Sequence, residues 1–272
     1  MHGSLCESCT IQPIKIYTFL YSRRLHRSTS KPVSFARPTE LMKSFSPISQ
    51  CRISDSTNLA SILSLNNQYF TGIFPQKSEQ HLVPSAPIEL VYCPDSGLVQ
   101  LNHNFEPTVM YGDNYGYRSG LNNSMVSHLS SKISLLERRY PLSNGSVVLD
   151  IGSNDATTLK SYQTPGLTRI GIDPTGEKFA DFYDDGMVLV PNFFNADLFF
   201  SASKEQASII TSIAMFYDLP DPIEFCRDIK RCLAPNGIWH FEQSYLHSML
   251  RTNSYDTICH EHLEYYDLTV ID

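Results

Sequence analysis

One apolar strand and the turn behind it constrain this chain more than any other feature. The strand is Val147–Ile151, and the turn that follows runs through Gly152, Asn154 and Asp155. An apolar strand that ends in Asp-x-Gly, before polar residues that open a helix, is typical of the first crossover of a doubly wound sheet. Gly152 lets a ligand come close to the backbone. A nucleotide-type ligand is therefore expected at this turn.

Helices and strands alternate around that turn. A helix of about 16 residues is predicted behind the cap Asn122, because apolar residues recur there at helical spacing. Asp221 caps a second clear helix, with Pro222 in its first turn. The alternation predicts an α/β fold, a Rossmann-like doubly wound parallel sheet. The predicted strands are Val147–Ile151, Arg169–Ile172, Met187–Val190, Ser208–Ile213 and Ile238–Glu242, and the predicted helices lie near 157–162, 177–183 and 222–233.

The polar residues of the turn indicate the cofactor. A dinucleotide site requires Gly-x-Gly-x-x-Gly so that pyrophosphate can sit on the helix N-terminus, and only the first of these glycines is present. Carboxylates repel pyrophosphate but accept a sulfonium and an amino group. Asp173 ends the next strand, where a carboxylate accepts ribose hydroxyls. We predict S-adenosylmethionine as cofactor, bound by Asp150, Gly152, Asn154, Asp155, Asp173 and Phe194.

Two alternatives to this cofactor stay open. Asp150 and Asp173 could simply cap loops, without any ligand. An NAD-dependent sugar oxidoreductase would share the fold, but the glycine pattern disfavours it.

Residues 1–41 differ from the rest of the chain. They are Ser-rich and carry six Lys and Arg against two Glu. Their apolar stretch Ile14–Tyr21 precedes its arginines, whereas a secretory signal peptide places its charges first. We expect a disordered tail or a non-native extension before a native start at Met42. With a start at Met42, the pair Cys6-x-x-Cys9, which looks like half of a metal site, has no role in metal binding. A transit peptide is the alternative.

Charge and composition exclude several classes of function. The net charge is −7, and the acidic balance from Met42 onward disfavours binding of duplex nucleic acid. No apolar run approaches the roughly 18 residues that a membrane helix needs. The seven cysteines are scattered, which favours a reducing cytoplasm. The expected partner is a small molecule, and the sequence leaves the oligomeric state unknown.

The chain divides into two predicted domains after its N-terminal extension. Residues 42–110 contain short apolar pieces broken by prolines, with Ile88–Cys93 and Gly97–Leu101 predicted as a hairpin. This indicates a small β-rich module. Residues 111–272 form the predicted S-adenosylmethionine-binding domain.

Five segments in one order give the chain a resemblance to a known family. It resembles, over residues 48–272, the C-methyltransferases that alkylate nucleotide-linked keto-deoxysugars. The resemblance implies a methyltransferase with a nucleotide-sugar substrate. The segments are Gly97-Leu-Val-Gln-Leu101, Asn114-Tyr-Gly-Tyr-Arg-Ser119, Asp150-Ile-Gly-Ser-Asn-Asp155, Phe241-Glu-Gln-Ser-Tyr-Leu246 and Tyr255-Asp-Thr-Ile-Cys-His-Glu-His262.

The resemblance also implies catalytic residues. A base removes the proton from the carbon beside a ketone, and the enolate then attacks the methyl group of the sulfonium. By resemblance the base is His262, and Glu261 orients or tunes it. Tyr115 and Tyr117 offer phenols to the sugar or its enolate. Cys259 stands where the family often has a tyrosine, so one phenolic contact is expected to be missing.

Other interpretations of these residues stay open. His260 and His262 could form half of a metal site, or both could lie at the surface. Tyr115 and Tyr117 could serve only in packing.

The chain departs from the family at its zinc site. The family holds a structural zinc with two Cys-x-x-Cys pairs, and here they read Cys51-Arg-Ile-Ser54 and Cys93-Pro-Asp-Ser96. Serine is not a normal ligand of structural zinc, so we predict that zinc binding is lost. Ala156 stands where the family usually has glycine, and we expect it to crowd the first helical turn by one methyl group.

The resemblance further implies two more strands and a further domain beyond Asp272. We expect a truncated chain in which Ile238–Glu242 is an uncovered edge strand beside a poorly packed face of the sheet. A non-catalytic S-adenosylmethionine-binding remnant is therefore the alternative to an active enzyme.

Overall fold

The computed structural model of the chain describes residues 45–71, 75, 77–111 and 115–271. The predictions for residues 1–41, including Cys6, Cys9 and the start at Met42, lie outside this range. None of the helices in the described part is long and apolar enough to cross a membrane.

Short strands of alternating burial build the first module. In the third strand every second side chain faces the core, which is the pattern of a strand with one solvated face. The predicted hairpin is confirmed, because Leu90 pairs antiparallel with Leu101. The strands are β1 (Phe45–Pro47), β2 (Ala60–Tyr69), β3 (Ser85–Tyr92), β4 (Val99–Leu101) and β5 (His103–Phe105). Strand β1 pairs with β5, and β2, β3 and β4 form one sheet.

Two helices lead from this module into the second half. Helix α1 (Pro107–Met110) is a single turn, whereas α2 (Asn123–Arg139) has 17 residues, close to the predicted length. As predicted, Asn122 caps α2 by accepting a hydrogen bond from the backbone N–H of Ser124 at 3.0 Å. The residues at helical spacing are the ones that α2 buries: Leu129, Ile133 and Leu136.

The five predicted strands of the second half form one parallel sheet, which confirms the doubly wound fold. The elements are β6 (Val147–Ile151), α3 (Thr157–Lys160), β7 (Thr168–Ile172), β8 (Met187–Val190), α4 (Ala196–Ala202), β9 (Ala207–Ile213), α5 (Pro222–Cys232) and β10 (Leu233–Glu242). The order of the sheet is β8-β7-β6-β9-β10, so the connections reverse direction between β6 and β9. A ligand crevice forms at such a point, beyond the carboxyl ends of the strands.

Two of the predicted helices are shorter or tighter than expected. The segment near 157–162 forms only the single turn of α3, and the segment near 177–183 is a 3₁₀ helix, Gly176–Phe182. Helix α5 follows the prediction, because Asp221 accepts a hydrogen bond from the N–H of Glu224 at 2.9 Å.

After β10 the chain returns to the first module, which the sequence did not indicate. Strand β11 (Glu264–Tyr265) pairs antiparallel with β4, so the small sheet has the order β11-β4-β3-β2. Leu263 and Tyr265 are buried in the core of that module with Phe105. The remaining helices are α6 (Leu246–Thr252) and α7 (Leu268–Ile271).

Strand β10 lies at the edge of the parallel sheet in the described part of the chain, as expected. The expected poor packing is wrong for the face that carries Trp239 and Phe241. Phe216 covers both rings at 5.3 and 5.4 Å and stacks in turn on Tyr266 at 5.3 Å. The covering ring therefore comes from the 3₁₀ helix Phe216–Asp218, and the segment that leads into α7 adds Tyr266 on top of it.

Candidate functional site

A cavity of about 500 Å³ opens where the order of the parallel sheet reverses. Its lining comes from both halves of the chain, from Phe105 in β5 to Leu263 beside β11. Seven of the ten predicted site residues lie in its wall, and Asp155, Glu261 and His262 do not. The seven are Tyr115, Tyr117, Asp150, Gly152, Asn154, Asp173 and Phe194.

We define the cofactor end of the cavity by the turns that follow β6 and β7. Gly152 has φ of +72°, and a Cβ atom there would lie 3.3 Å from Cγ of Met215. Only glycine adopts this conformation without strain. The backbone N–H of Asn154 donates to Oδ2 of Asp173 at 2.8 Å. The two turns are thus directly joined, as the prediction of a shared ligand site requires.

Asp173 is held firmly in place at this end. Its Oδ1 accepts hydrogen bonds from the backbone N–H and the hydroxyl of Thr175, at 2.6 and 2.5 Å. A carboxylate has about four lone-pair positions, so acceptor capacity remains in addition to these contacts and that of Asn154.

Asp150 carries less charge than expected. Its side chain is 2% exposed, and Oδ1 accepts a hydrogen bond from the Thr211 hydroxyl at 2.5 Å. Burial raises the pKa of Asp150 to about 7, against the opposing effect of hydrogen bonds from Thr211 and Thr158. Near neutral pH this carboxyl is therefore partly protonated. Its predicted repulsion of a pyrophosphate is correspondingly weaker.

Asp155 does not line the cavity. Its Oδ2 accepts a hydrogen bond from the backbone N–H of Gly120 at 2.9 Å and pairs with Arg118 at 3.5 Å. Its Oδ1 accepts from the Thr157 hydroxyl at 2.5 Å. These contacts fasten the loop before α2 to the first turn of α3, and the contact of Asp155 with the cofactor stays a prediction.

We define the substrate end by the wall that holds Tyr111, Tyr115 and Asp218. Burial raises the pKa of Tyr115 well above its ordinary value, so this phenol keeps its proton near neutral pH. The ring of Tyr115 lies 5.6 Å from that of Tyr111. Tyr117 is 48% exposed and lines the cavity nearer the cofactor end, where its carbonyl accepts from the Asn154 side chain at 3.2 Å.

The predicted base lies directly behind this wall. Nδ1 of His262 is 2.7 Å from the carbonyl oxygen of Thr257. A carbonyl only accepts, so Nδ1 carries the proton and the Nε2 lone pair is left for accepting one. Cys259, Glu261 and His262 place one side-chain atom each within 4.8 Å of one another. Burial raises the pKa of Glu261, and His262 opposes that effect.

His260 is neither a surface residue nor a neighbour of His262 in a metal cluster. It is fully buried between Phe70 and Phe105, with ring centres at 4.5 and 4.9 Å. Its Nε2 lies 3.0 Å from the carbonyl oxygen of Ala86, and burial lowers its pKa. The interpretation of both histidines as surface residues is therefore wrong for His260, which packs in the module core.

Comparison with known families identifies the second half of the chain. Residues 125–271 match the family model of a methyltransferase domain, which is more than half of the chain. The chain belongs to the methyltransferase domain family. This confirms the predicted class of enzyme and, with it, S-adenosylmethionine as the cofactor class. A second family model, described as a zinc-binding domain, matches residues 51–111.

One relative of this chain is the C-methyltransferase NovU of Streptomyces niveus. The two are 27% identical over 225 residues, which cover 82% of this chain and 53% of NovU. The chain therefore spans about half the length of this relative.

Among solved structures, similar chains include the plantazolicin methyltransferase BpumL and DesVI of Streptomyces venezuelae. BpumL, in complex with S-adenosylhomocysteine, is 18% identical at a TM-score of 0.39, with 54% of this chain and 55% of BpumL covered. DesVI is 15% identical at a TM-score of 0.37, with 47% and 54% covered. TM-scores this low do not define the fold, which the strand order of the methyltransferase domain defines by itself.

The four degenerate zinc positions do come together in the first module. Sγ of Cys51 lies 3.3 Å from Oγ of Ser96, and Oγ of Ser54 lies 3.7 Å from Sγ of Cys93. Burial raises the pKa of Cys93, but hydrogen bonds from Ser96 and Ser54 outweigh it and lower the pKa to about 7. Two thiols and two hydroxyls do not match the ligands of structural zinc. Loss of zinc stays a prediction that this donor set supports.

Ala156 has φ of 60° and ψ of 17°, which is the left-handed region, at the N-cap of α3. Its methyl group is fully buried. Backbone strain is therefore a cost of alanine here that the sequence analysis did not predict.

Asp218 and Tyr111, in the wall of the methyltransferase cavity, were not predicted from the sequence. Asp218 follows β9 in the short 3₁₀ helix Phe216–Asp218. A polar residue just beyond the carboxyl end of a central parallel strand is a signal that would have indicated Asp218. Tyr111 stands between helices with no such signal.

Proposed function

We propose that this chain is an S-adenosylmethionine-dependent C-methyltransferase whose acceptor is the carbon beside a ketone in a nucleotide-linked deoxysugar. The observation that carries the proposal is the single cavity that runs from the turns after β6 and β7 to the wall in front of His262. A methyl donor and a carbon acid would thus share one enclosed space. S-adenosylmethionine bound at the cofactor end would supply the electrophilic methyl group.

The residues of the chain divide the remaining work. Asp173 and Gly152 would hold the ribose and the main body of the donor, and Phe194 and Asn154 would complete its pocket. Tyr115 keeps a protonated phenol in the substrate wall, where it would donate to the sugar. His262, with its Nδ1 proton fixed by Thr257, would accept the proton of the carbon acid at Nε2.

The sugar part of the proposal is supported by the C-methyltransferase NovU, which aligns with 82% of this chain. The described cysteines, Cys51, Cys93, Cys226, Cys232 and Cys259, are all free, which suits the reducing cytoplasm that we propose as its location. The acidic balance of the chain supports a small-molecule substrate over a nucleic acid.

Methyl transfer from labelled S-adenosylmethionine to a nucleotide 4-keto-6-deoxyhexose tests the proposal. We expect a methylated sugar with the wild-type chain and a rate lower by about 10²- to 10⁴-fold with His262→Asn, because a general base is removed. The exposed His247 provides the matched control, and His247→Asn should keep the wild-type rate. Calorimetric titration should show binding of S-adenosylmethionine. Tighter binding of NAD would overturn the assignment of S-adenosylmethionine as cofactor.

A second candidate is a protein that binds S-adenosylmethionine without transferring its methyl group. It is favoured by the position of His262 and Glu261, which do not line the cavity. Cofactor binding with no product, and no change with His262→Asn, would support this candidate instead.

A further inference from the structure

Asp218 is an acidic side chain in the wall of the substrate end, and the proposed function gives it no role. It ends the 3₁₀ helix behind β9, and a backbone hydrogen bond of 2.8 Å from Leu263 to the carbonyl of Tyr217 ties this helix to the segment after His262. The ring of Tyr217 packs against His262 at 4.4 Å. These contacts place Asp218 and His262 side by side, although 43 residues separate them along the chain.

The carboxyl of Asp218 is incompletely paired. It lies deep in the protein, and its remaining exposed surface faces the cavity. Its Oδ1 is buried without a hydrogen-bond partner among the described residues. Buried polar atoms in folded proteins are nearly always paired, so an unpaired one in a cavity wall indicates a ligand that pairs it.

The surroundings of Asp218 favour its uncharged form. Burial raises its pKa well above the ordinary value, and the nearby Glu261 and Cys259 act in the same direction. His262 and the Tyr111 hydroxyl oppose the shift but do not reverse it. No Lys or Arg of the described chain forms an ion pair with it. A carboxylic acid kept neutral in such a place is a strong hydrogen-bond donor toward developing negative charge.

We propose that Asp218 is a catalytic residue of this site, whose protonated carboxyl donates a hydrogen bond to the ketone oxygen as it becomes an enolate. The inference rests on the proposed function. In the step, the C–H bond of the carbon acid breaks and its proton moves to Nε2 of His262. The electron pair moves into the enolate, with negative charge on the oxygen that Asp218 contacts. The enolate carbon then bonds to the methyl group, and S-adenosylhomocysteine leaves; Asp218 keeps its proton throughout.

Two substitutions distinguish a donor from a charged base. Asp218→Asn keeps a donor of nearly the same shape, whereas Asp218→Leu keeps the shape without a donor. The measured rate is that at which a nucleotide 4-keto-6-deoxyhexose exchanges the proton beside its ketone with D₂O. S-adenosylhomocysteine is present in place of S-adenosylmethionine, so that no methyl group is transferred. We expect a loss of about 10²- to 10³-fold for the leucine variant and of about 10-fold or less for the asparagine variant. The exposed Asp256→Asn is the control and should keep the wild-type rate.

Infrared difference spectra provide a second measurement that needs no turnover. At pH 7 the spectrum of the wild-type chain minus that of Asp218→Asn should contain the C=O stretch of a protonated carboxyl. Absence of that band overturns the inference even if the leucine variant fails to fold. Equal loss of exchange in both variants would make Asp218 a charged base, and exchange at the wild-type rate in both would make it a bystander; either result overturns the inference. A wild-type chain that shows the band but exchanges no proton refutes the proposed function while leaving the protonated Asp218 supported.

Discussion

The two ends of the cavity are built in different ways. The cofactor end comes largely from consecutive turns after β6 and β7, and its acidic side chains already have protein donors: Asp173 has Asn154 and Thr175, and Asp150 has Thr211. The substrate end is assembled from segments far apart in the chain, at residues 111, 115–117, 216–218 and 259–263. There Asp218 and Glu261 keep buried atoms without partners among the described residues.

This difference indicates which end is complete before a ligand arrives. Local hydrogen bonds preorganise the cofactor end, so ligand binding there costs little rearrangement. The substrate end retains unpaired polar atoms whose partners have to come from the substrate. Substitutions at the first end should therefore change cofactor affinity, and substitutions at the second should change the rate of chemistry or the stability of the wall.

The largest expected effect concerns the buried ion pair that anchors the substrate end to the small module. Nε of Arg52 lies 3.3 Å from Oε1 of Glu264, and the two side chains are 3% and 0% exposed. Arg52→Met should lower the free energy of unfolding by about 3–5 kcal/mol, because the fully buried carboxyl of Glu264 would lose its partner. Urea unfolding measures this change.

The double variant Arg52→Met with Glu264→Met provides the control for this prediction. Removing both charges should leave the protein more stable than the single variant. A single variant as stable as the wild type would show that β11 does not depend on the pair, and the contrast between the two ends would weaken.

Asp150 should make the stability of the cofactor end depend on pH. Its folded pKa of about 7 lies above its ordinary value, so the folded state holds a proton that the unfolded state has lost. Stability is then greatest at low pH and falls as the pH rises toward 7, by up to about 1.4 kcal/mol per pH unit from this group. In urea unfolding at pH 5 and pH 7, Asp150→Asn should reduce that fall. An unchanged pH dependence in this variant would refute the assignment.

Asp173 should affect the affinity for S-adenosylmethionine more than it affects the free energy of unfolding. Asp173→Ala removes the carboxylate that would accept the ribose hydroxyls, and we expect the Kd for S-adenosylmethionine to rise about 10- to 100-fold. Calorimetry measures the change, with the exposed Asp184→Ala as control. If the affinity were unchanged, the ribose would have to bind elsewhere.

The smallest effect concerns two alanines in the left-handed region. Ala214 has φ of 55° and is exposed, so Ala214→Gly should stabilise the fold by about 1 kcal/mol. Ala156 has φ of 60° but its methyl group is fully buried. Ala156→Gly should therefore gain almost nothing, because the lost methyl burial of about 0.8 kcal/mol offsets the relieved strain. Thermal unfolding of both variants measures the two changes in stability. Equal stabilisation by Ala214→Gly and Ala156→Gly would contradict the prediction.

Predictions from the sequence were best where the determining contacts are local. The strand Val147–Ile151, the cap Asn122 and the cap Asp221 were all found, because apolar periodicity and side-chain caps act over a few residues. The same holds for the approach of Gly152 to Asp173, which follows from the adjacency of consecutive parallel strands. The contacts of Asp155 with Gly120 and Arg118 were not predicted, since these partners lie 35 and 37 residues away in the chain.

The sequence by itself determined the alternating fold, the cofactor turn and the identity of the family. Only the tertiary structure decided that His260 is a core residue, that His262 stands behind the cavity wall and that Asp218 lies beside it. The physical reason is the antiparallel pairing of β11 with β4, a contact between Glu264 and Gln100 across 164 residues. Such a pairing depends on the register and burial of strands far apart in the chain, which no local pattern of residues specifies.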